Sequence, residues 1–472
     1  MSIKQSQISK FFVIFLFVHI SIWTLIPTLV NSNLPLDTIE ALAWASDIQW
    51  GYSKHPPSSA WFSGLVFAIF SNQDWAYYLL SQLFVVISFI IVWKFSEDFF
   101  KKQIHRLISV LLLEGIYFYN FTSPEFNVYV CELPFWTLTV FYCWKGIKQN
   151  DYISWLLFGF FAGFGVLSHY LFFYLLMALS IFFIYMMFKK KFNSKSLISL
   201  IAFSIVLLPH LIWLTENDFI SINYALHRTG LEELTFLNHL YYPIIFLAKQ
   251  IGIMVPFFIM LIFIVSKFEY KINLKDKKLI FLIIINIVPL LLIFLTSFFL
   301  GTKIRTMWMT PFYLFSGVLC VYIFQTNIYR ERFKHFLNVF LFLFILSPSI
   351  YFYDSISTKN KRTDYHGKEI AQLIQTKWDN TFSNEIEIVF GNIWDAGNLS
   401  YHLKSKPEWT GGLWHGIKEI SENTDGGIIV IGDYDENILV NNKICTISNT
   451  LSHVVLLQLK YFNHNVCMIG KK

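Results

Sequence analysis

Apolar residues along the chain come in unbroken runs rather than in stripes of helical period. Runs can be drawn at 11–30, 76–93, 107–120, 128–144, 153–168, 170–188, 197–214, 241–265, 279–300, 308–326 and 336–353. Once tilt and interfacial residues are allowed for, each is long enough for a hydrocarbon core of about 30 Å. The pattern therefore predicts a polytopic α-helical membrane protein with about eleven transmembrane helices. A shorter apolar stretch, 59–70, fits a helix lying in the membrane interface. The pattern changes at about Tyr353. Beyond it polar residues dominate; Lys368 to Trp378 reads as a helix, and Glu385 to Phe390, Gly427 to Ile431 and Val454 to Phe462 read as short strands. The expected organisation is a membrane domain, 1–353, followed by a small extracytoplasmic α/β domain, 354–472.

Composition agrees with that pattern. The chain is 55% hydrophobic and 19% aromatic, with 14% charged residues, where a soluble protein carries roughly a quarter. The net charge of +6 is not a nucleic-acid signal, because the basic residues sit in short clusters between apolar runs, where they set topology. Lys4 and Lys10 precede the first run. Lys94, Lys101, Lys102 and Arg106 follow the second, Lys145 and Lys148 the fourth, and Lys189, Lys190, Lys191 and Lys195 the sixth. Lys267, Lys271, Lys275, Lys277 and Lys278 follow the eighth, and Arg330, Arg332 and Lys334 the tenth. The alternate loops are poor in basic residues. The positive-inside rule then puts the N-terminus in the cytoplasm. The first loop, the loops at 215–240 and 301–306, and the periplasmic C-terminal domain fall on the outer side of an inner membrane.

The first run is too long for a signal-peptide core, and no small-x-small pattern follows it at Asn31-Ser32-Asn33, so it reads as an uncleaved span. Five cysteines are too few for a disulfide scaffold. Cys131, Cys143 and Cys320 fall in or near apolar runs as packing residues. Cys445 and Cys467 lie in the polar tail, where an oxidising compartment would permit a pair.

The outer loops hold most of the chemistry. The first, "LPLDTIEALAWASDIQWGYSKHPPSSAW" (Leu34–Trp61), is the richest. A carboxylate at the headgroup level can take a proton from an acceptor hydroxyl or amine while a lipid phosphate leaves, and basic residues can hold that phosphate. Asp37 precedes the helix-like "TIEALAWA", so it also suits a helix cap or first-turn position. Asp37 and Glu40 share a helix face; Asp47 suits a turn. Lys54 suits a phosphate contact or a snorkelling lysine. His55 suits phosphate, metal or proton chemistry, or orientation of the stiff Pro56-Pro57 pair. Arg228, Lys303 and Arg305 are candidate phosphate ligands, Arg305 first because guanidinium grips phosphate bidentately; ordinary anionic lipid is their alternative partner. Lys249 lies within an apolar run, where an ionisable group is expensive, or marks the end of an interfacial helix. Glu132, His169 and Asp218 are weaker candidates.

The first loop resembles that of the GT-C glycosyltransferases of family 39. These include the dolichyl-phosphate-mannose–protein mannosyltransferases and the bacterial lipid A aminoarabinose transferases. "SPEFNVYVCELPFW" (Ser123–Trp136), "GVLSHY" (Gly165–Tyr170), "ENDFISINYALHR" (Glu216–Arg228) and "GTKIRTMW" (Gly301–Trp308) also resemble family segments. The resemblance covers about 30–350 and leaves the tail outside. It implies GT-C architecture and transfer of a sugar from a polyprenyl-phosphate-linked donor to a lipid, glycan or protein acceptor on the outer face. It also implies a general-base or acceptor-binding role for Asp37. The family's acids are commonly adjacent, whereas here Thr38 and Ile39 separate Asp37 from Glu40. In the aminoarabinose branch a Glu before Pro-Pro is a metal ligand. This chain has Lys54-His55 there, so a divalent metal stays open and no other cofactor is implied. The rival class is a polytopic lipid or polysaccharide transporter or flippase, which tends to carry mid-membrane polar sites and internal repeats.

Overall fold

The structure, a computed structural model, describes residues 5–229, 235–269, 273, 275–411, 426–432, 453–459 and 464–472. The chain divides into two compact units: Met1–Leu29 with Tyr78–Ile356, and Val30–Tyr77 with Ser357–Lys472. The division between membrane and tail falls close to the composition shift at 353. Residues 30–77, which the sequence placed with the membrane domain, group with the tail.

The first unit is helical. It contains most of α1 (Gln5–Val30) and of α4 (Asp74–Ser96), then α5 (Gln103–Leu111), α6 (Val128–Gln149), α7 (Tyr152–Ser168), α8 (Phe172–Phe188), α9 (Ile198–Glu216) and α10 (Ile220–Arg228). It continues with α11 (Asn238–Ile264), α12 (Lys277–Leu300), α13 (Ser316–Phe324) and α14 (Arg330–Ser357). All eleven apolar runs contain helix, but the count of eleven crossings is not carried by helix length. Among the described residues six helices are long and apolar enough to cross a membrane, or seven if the bent pair Thr306–Tyr313 and Ser316–Asn327 is one span. The difference is local. The run at 107–120 breaks after α5 into 3-10 turns at Leu112–Gly115 and Tyr117–Tyr119. The run at 308–326 bends by 51°. Helices α7 and α8, at 17 residues each, sit at the short limit of roughly 17–25 residues for a span.

Prolines inside α1, α6, α9, α11, α12 and α14 are tolerated because neighbouring groups in a bundle re-satisfy the freed carbonyls. Small residues let backbones approach: a Cβ built on Gly159 of α7 would lie 2.0 Å from the Ser199 carbonyl oxygen of α9.

The second unit is a sheet domain with an inserted helical loop. Helices α2 (Leu36–Ala45) and α3 (Ser58–Phe70) come from the loop, and α15 (Gly367–Asp379) and α16 (Asp395–His402) from the tail. Strands β1 (Ile386–Gly391), β2 (Glu408–Thr410), β3 (Gly427–Gly432), β4 (His453–Leu459) and β5 (His464–Gly470) form one sheet, ordered β2-β1-β3-β5-β4. β1 pairs in parallel with β2 and β3; β5 pairs antiparallel with β3 and β4. β3 is buried along its whole length, as expected of an all-apolar strand in a parallel pair. The core gathers Ala43, Trp44, Tyr52 and Ala60 of the loop with Ile374, Trp378, Leu399, Trp409 and Ile429 of the tail. Cys445 lies outside the described residues, and with it the Cys445–Cys467 pair.

His402, at the end of α16, holds its imidazole 3.3 Å from the Asn33 side-chain oxygen. Burial, with Lys368 adding, pushes this imidazole from the usual 6.5 down to about 4. Because the unfolded chain takes up this proton first, its contribution to stability is complete above pH 6.5 and falls as pH drops toward 4. Thermal unfolding of the detergent-solubilised protein is therefore expected to weaken between those values, with a shallower slope in a His402→Gln variant. An identical slope in the variant would remove His402 from the effect.

Candidate active site

Helix α2 carries Asp37 and Glu40. Its composition, Leu-Asp-Thr-Ile-Glu-Ala-Leu-Ala-Trp-Ala, is rich in strong helix formers. Pro35 occupies the cap position with extended backbone, and Asp37 lies inside the first turn, where a carboxylate meets the positive end of the helix. The Ser46 hydroxyl donates back to the Ala43 carbonyl at 2.7 Å and closes the helix. Residues Thr38 to Trp44 are buried. Gly397 of α16 allows the close crossing: a Cβ there would lie 3.2 Å from both the Ala43 Cβ and the Ile39 Cγ2. The Trp409 N–H of β2 donates to the Ser46 hydroxyl at 2.8 Å. The helix is thus fixed by the tail's core at its middle and its end.

Glu40 is buried, and Lys54, 14 residues on, donates to its Oε1. Asp37, one turn earlier on the same face, is half-buried. The intervening loop is internally braced. The Tyr52 hydroxyl donates to the Asp47 carbonyl and accepts from the Gln49 N–H, both at 3.1 Å. The Gln49 amide donates to the Asp47 carboxylate at 2.6 Å. Burial, with Asp47's charge adding and the Gln49 N–H opposing, holds the Tyr52 phenol well above its ordinary 10, so it stays protonated. Tyr52 stacks on Trp44 at 5.4 Å, and the His55 ring packs edge-on to Trp44 at 6.0 Å. Buried Pro56 and Pro57 lead directly into α3. Asp47 is thus a turn residue, and Lys54 orients Glu40.

In the membrane unit the other cationic candidates share one neighbourhood. The segment after α12 runs extended through Lys303 and Arg305 into the 3-10 helix Thr306–Tyr313. The Lys303 N–H donates to the Thr229 carbonyl at 3.1 Å, bringing it beside the end of α10 and Arg228. Lys303, Arg228 and Lys249 are exposed; Arg305 is partly buried. Lys249 is next to the residue that makes the contact. Gln250, which sequence reasoning passed over, is buried, accepts the Tyr313 hydroxyl at 2.7 Å and reaches the Thr306 carbonyl at 3.5 Å. Asp218 is an exposed turn residue with left-handed backbone.

Glu132 of α6 is fully buried, and His169, between α7 and α8, sets its Nδ1 3.6 Å from the Glu132 Oε2. Next to it, the Tyr170 hydroxyl lies 3.0 Å from His210 Nε2 of α9 and 2.6 Å from the Ser221 hydroxyl of α10. A second buried pair joins His19 of α1 to Glu114 at 2.5 Å. Of these, His19, Glu114 and His210 went unmarked. The available signal was an ionisable residue inside an apolar run. Among the described residues no group of three or more His, Cys, Asp or Glu side chains has the spacing of a metal site.

Residues 54–213 match the model of the dolichyl-phosphate-mannose-protein mannosyltransferase family. That range includes Lys54, His55, Glu132 and His169; Asp37, Glu40 and the cations from Arg228 onward lie outside it. No curated protein matches the chain significantly. Among solved structures, ArnT from Cupriavidus metallidurans bound to undecaprenyl phosphate superposes with a TM-score of 0.65 at 10% identity, over 98% of each chain. The apo state of ArnT gives 0.64 at 10% identity over the same share. The likeness is one of fold, the GT-C architecture, and it takes in the tail as well as the helices.

Removing one partner of a buried ion pair leaves the other charge uncompensated. Lys54 keeps 25% of its side chain exposed, so Lys54→Met is expected to cost about 1–3 kcal/mol, below the fully buried case. The double variant Glu40→Gln/Lys54→Met should recover most of that loss in a thermal double-mutant cycle. Strict additivity would show that the pair contributes no coupling.

Proposed function

We propose that the protein is a multi-pass inner-membrane glycosyltransferase. It would move a sugar from a polyprenyl-phosphate-linked donor to a lipid, glycan or protein acceptor at the extracytoplasmic face. The observation that carries this reading is the division between the two acids of α2. Lys54 engages Glu40, the buried acid, while Asp37, one turn earlier, keeps access to solvent. A general base needs that access, and a rigid mount that positions it.

In the proposed reaction Asp37 takes the proton of the acceptor hydroxyl or amine as that atom attacks the anomeric carbon. The anomeric carbon–oxygen bond to phosphate breaks, and the carrier leaves as polyprenyl phosphate. Its developing negative charge is met by cations. The candidates for that role are Arg305 first, then Lys303, Arg228 and Lys249, with His55 a candidate hydrogen-bond donor. Lys54, committed to Glu40, acts first by holding that acid in place. The match to the mannosyltransferase family model across 54–213 and the shared fold with ArnT, captured with undecaprenyl phosphate, support the same donor class. The basic loops support a cytoplasmic N-terminus and a periplasmic tail.

General-base removal typically costs 10²–10⁴-fold in rate. Asp37→Asn is expected to lower sugar transfer from a polyprenyl-phosphate sugar at least ~100-fold, with unchanged thermal stability and gel-filtration behaviour, and Asp37→Glu to restore part of it. Full transfer by a well-folded Asp37→Asn protein would remove Asp37 from the mechanism. Movement of intact lipid across proteoliposomes without covalent change would favour the transporter reading.

A further inference from the structure

One end of the membrane unit carries a cavity that the proposed transfer does not use. Its volume is about 360 Å³, within the usual range for a small-ligand site. Lys278, at the start of α12, donates to the Asp98 carbonyl in the α4–α5 turn that borders this cavity. The Lys303–Arg305 segment follows the other end of the same helix, 24 residues on, a length of roughly 36 Å. The cavity and the candidate phosphate ligands of the membrane unit are therefore at opposite ends of α12.

The cavity is two-sided in chemistry. Lys101, Lys102 and His105 supply its polar side; Ile8, Ile104 and Phe333 belong to its apolar side. The two acids of the turn before α5 are already engaged: Glu97 with Arg106 at 3.2 Å, and Asp98 with Lys148 at 2.6 Å. Among the described residues no carboxylate lines the cavity, and neither Lys101 nor Lys102 has an acidic partner. His105 is 95% buried, packs edge-on to Phe100 at 5.9 Å, and makes no ring hydrogen bond among the described residues. Lys102 stands at the cap position of α5, and no side chain caps that helix, so its first N–H groups add positive potential.

The opposite wall is held in place. Val265 and Ile328 pair as a β-bridge, and the Asn327 amide donates to the Lys267 and Glu269 carbonyls at 2.9 and 2.8 Å. Arg332 donates to the Val265 carbonyl at 2.5 Å. The site is thus largely preformed, which lowers the cost of filling it.

We infer that this cavity binds an anionic phospholipid of the surrounding bilayer. The phosphate sits between Lys101, Lys102 and His105 at the start of α5, and an acyl chain lies along Ile8, Ile104 and Phe333. Two adjacent cations with no carboxylate partner, beside a buried imidazole with no ring hydrogen bond, fit a phosphate; the apolar wall fits a chain that a soluble anion lacks. The lipid ties α1, α5 and α14 together at the end of the bundle remote from Arg305.

The test is native mass spectrometry of the full chain released from detergent with phosphatidylglycerol or phosphatidylethanolamine at equal concentration. Phosphatidylglycerol should be retained at least ~5-fold more. Lys101→Gln/Lys102→Gln should lower its retention by a similar factor without changing sugar transfer, and Lys94→Gln, a lysine outside the cavity, should leave it unchanged. Equal retention of the two lipids, or undiminished binding by the double variant, would overturn the proposal. Displacement by inorganic phosphate at the same concentration would make this an ion site, and displacement by trace polyprenyl phosphate a carrier site; either result would also overturn it.

Discussion

The two acids of the candidate site depend on the docking of a ten-residue helix against a distant part of the chain. Helix α2 is too short to be stable alone. It is held by packing, with Ile39 and Ala43 against Gly397 and with Trp44 in a core shared with Ile374, Trp378 and Trp409. More than 300 residues separate α2 from those partners, as the Ser46–Trp409 bond shows with its separation of 363. The polar tail therefore works as the scaffold of the first loop. A carboxylate intended for proton transfer must be held to within a fraction of an ångström, and a loop at a membrane surface does not supply that rigidity by itself.

The electrostatics follow from that scaffold. Two acids three positions apart on one helix face repel if both are ionised and unbalanced. Lys54 resolves this for Glu40, which is buried and would otherwise be expensive to ionise. The bracing of Asp47, Gln49 and Tyr52 keeps the loop that delivers Lys54 in register. In the membrane unit the same logic appears without a carboxylate. Gln250 and Tyr313 order the segment that carries Arg305, and neutral hydrogen bonds there leave the cations' charge available. Deeper in that unit, acids are paired with histidines, Glu132 with His169 and Glu114 with His19, which lowers the cost of burying them.

Much of the fold was legible because it rests on local signals. Every apolar run contains helix, the "TIEALAWA" segment and 59–70 are helical, and the first of the tail's two helices, α15, and three of its strands lie where the apolar pattern put them, while α16 was not read from the sequence. What escaped had weak or non-local signals. Strand β2 is three residues long, with Glu408 and Thr410 flanking one Trp, and β5 has no alternation that separates it from loop. Helix length does not carry the count of eleven crossings, because two of the apolar runs are interrupted, by the 3-10 break after Leu111 and by the 51° bend near Phe315, and hydropathy registers neither. The candidate acids and bases of the first loop were visible one by one. Their pairing was not, since Glu40 and Lys54 meet across a loop whose path is set by the tail. Gln250 was passed over because a neutral amide beside Lys249 attracts no electrostatic attention.

The proposed transfer breaks the anomeric bond of a lipid-linked sugar, and the phosphate leaves on its carrier. It is tested most directly by placing ¹⁸O in the oxygen that bridges the anomeric carbon and the phosphate, then following the label by mass spectrometry. The label is expected in the released polyprenyl phosphate, and the transferred sugar should carry none. Label or phosphate in the glycosylated product, or turnover with no covalent product, would contradict it.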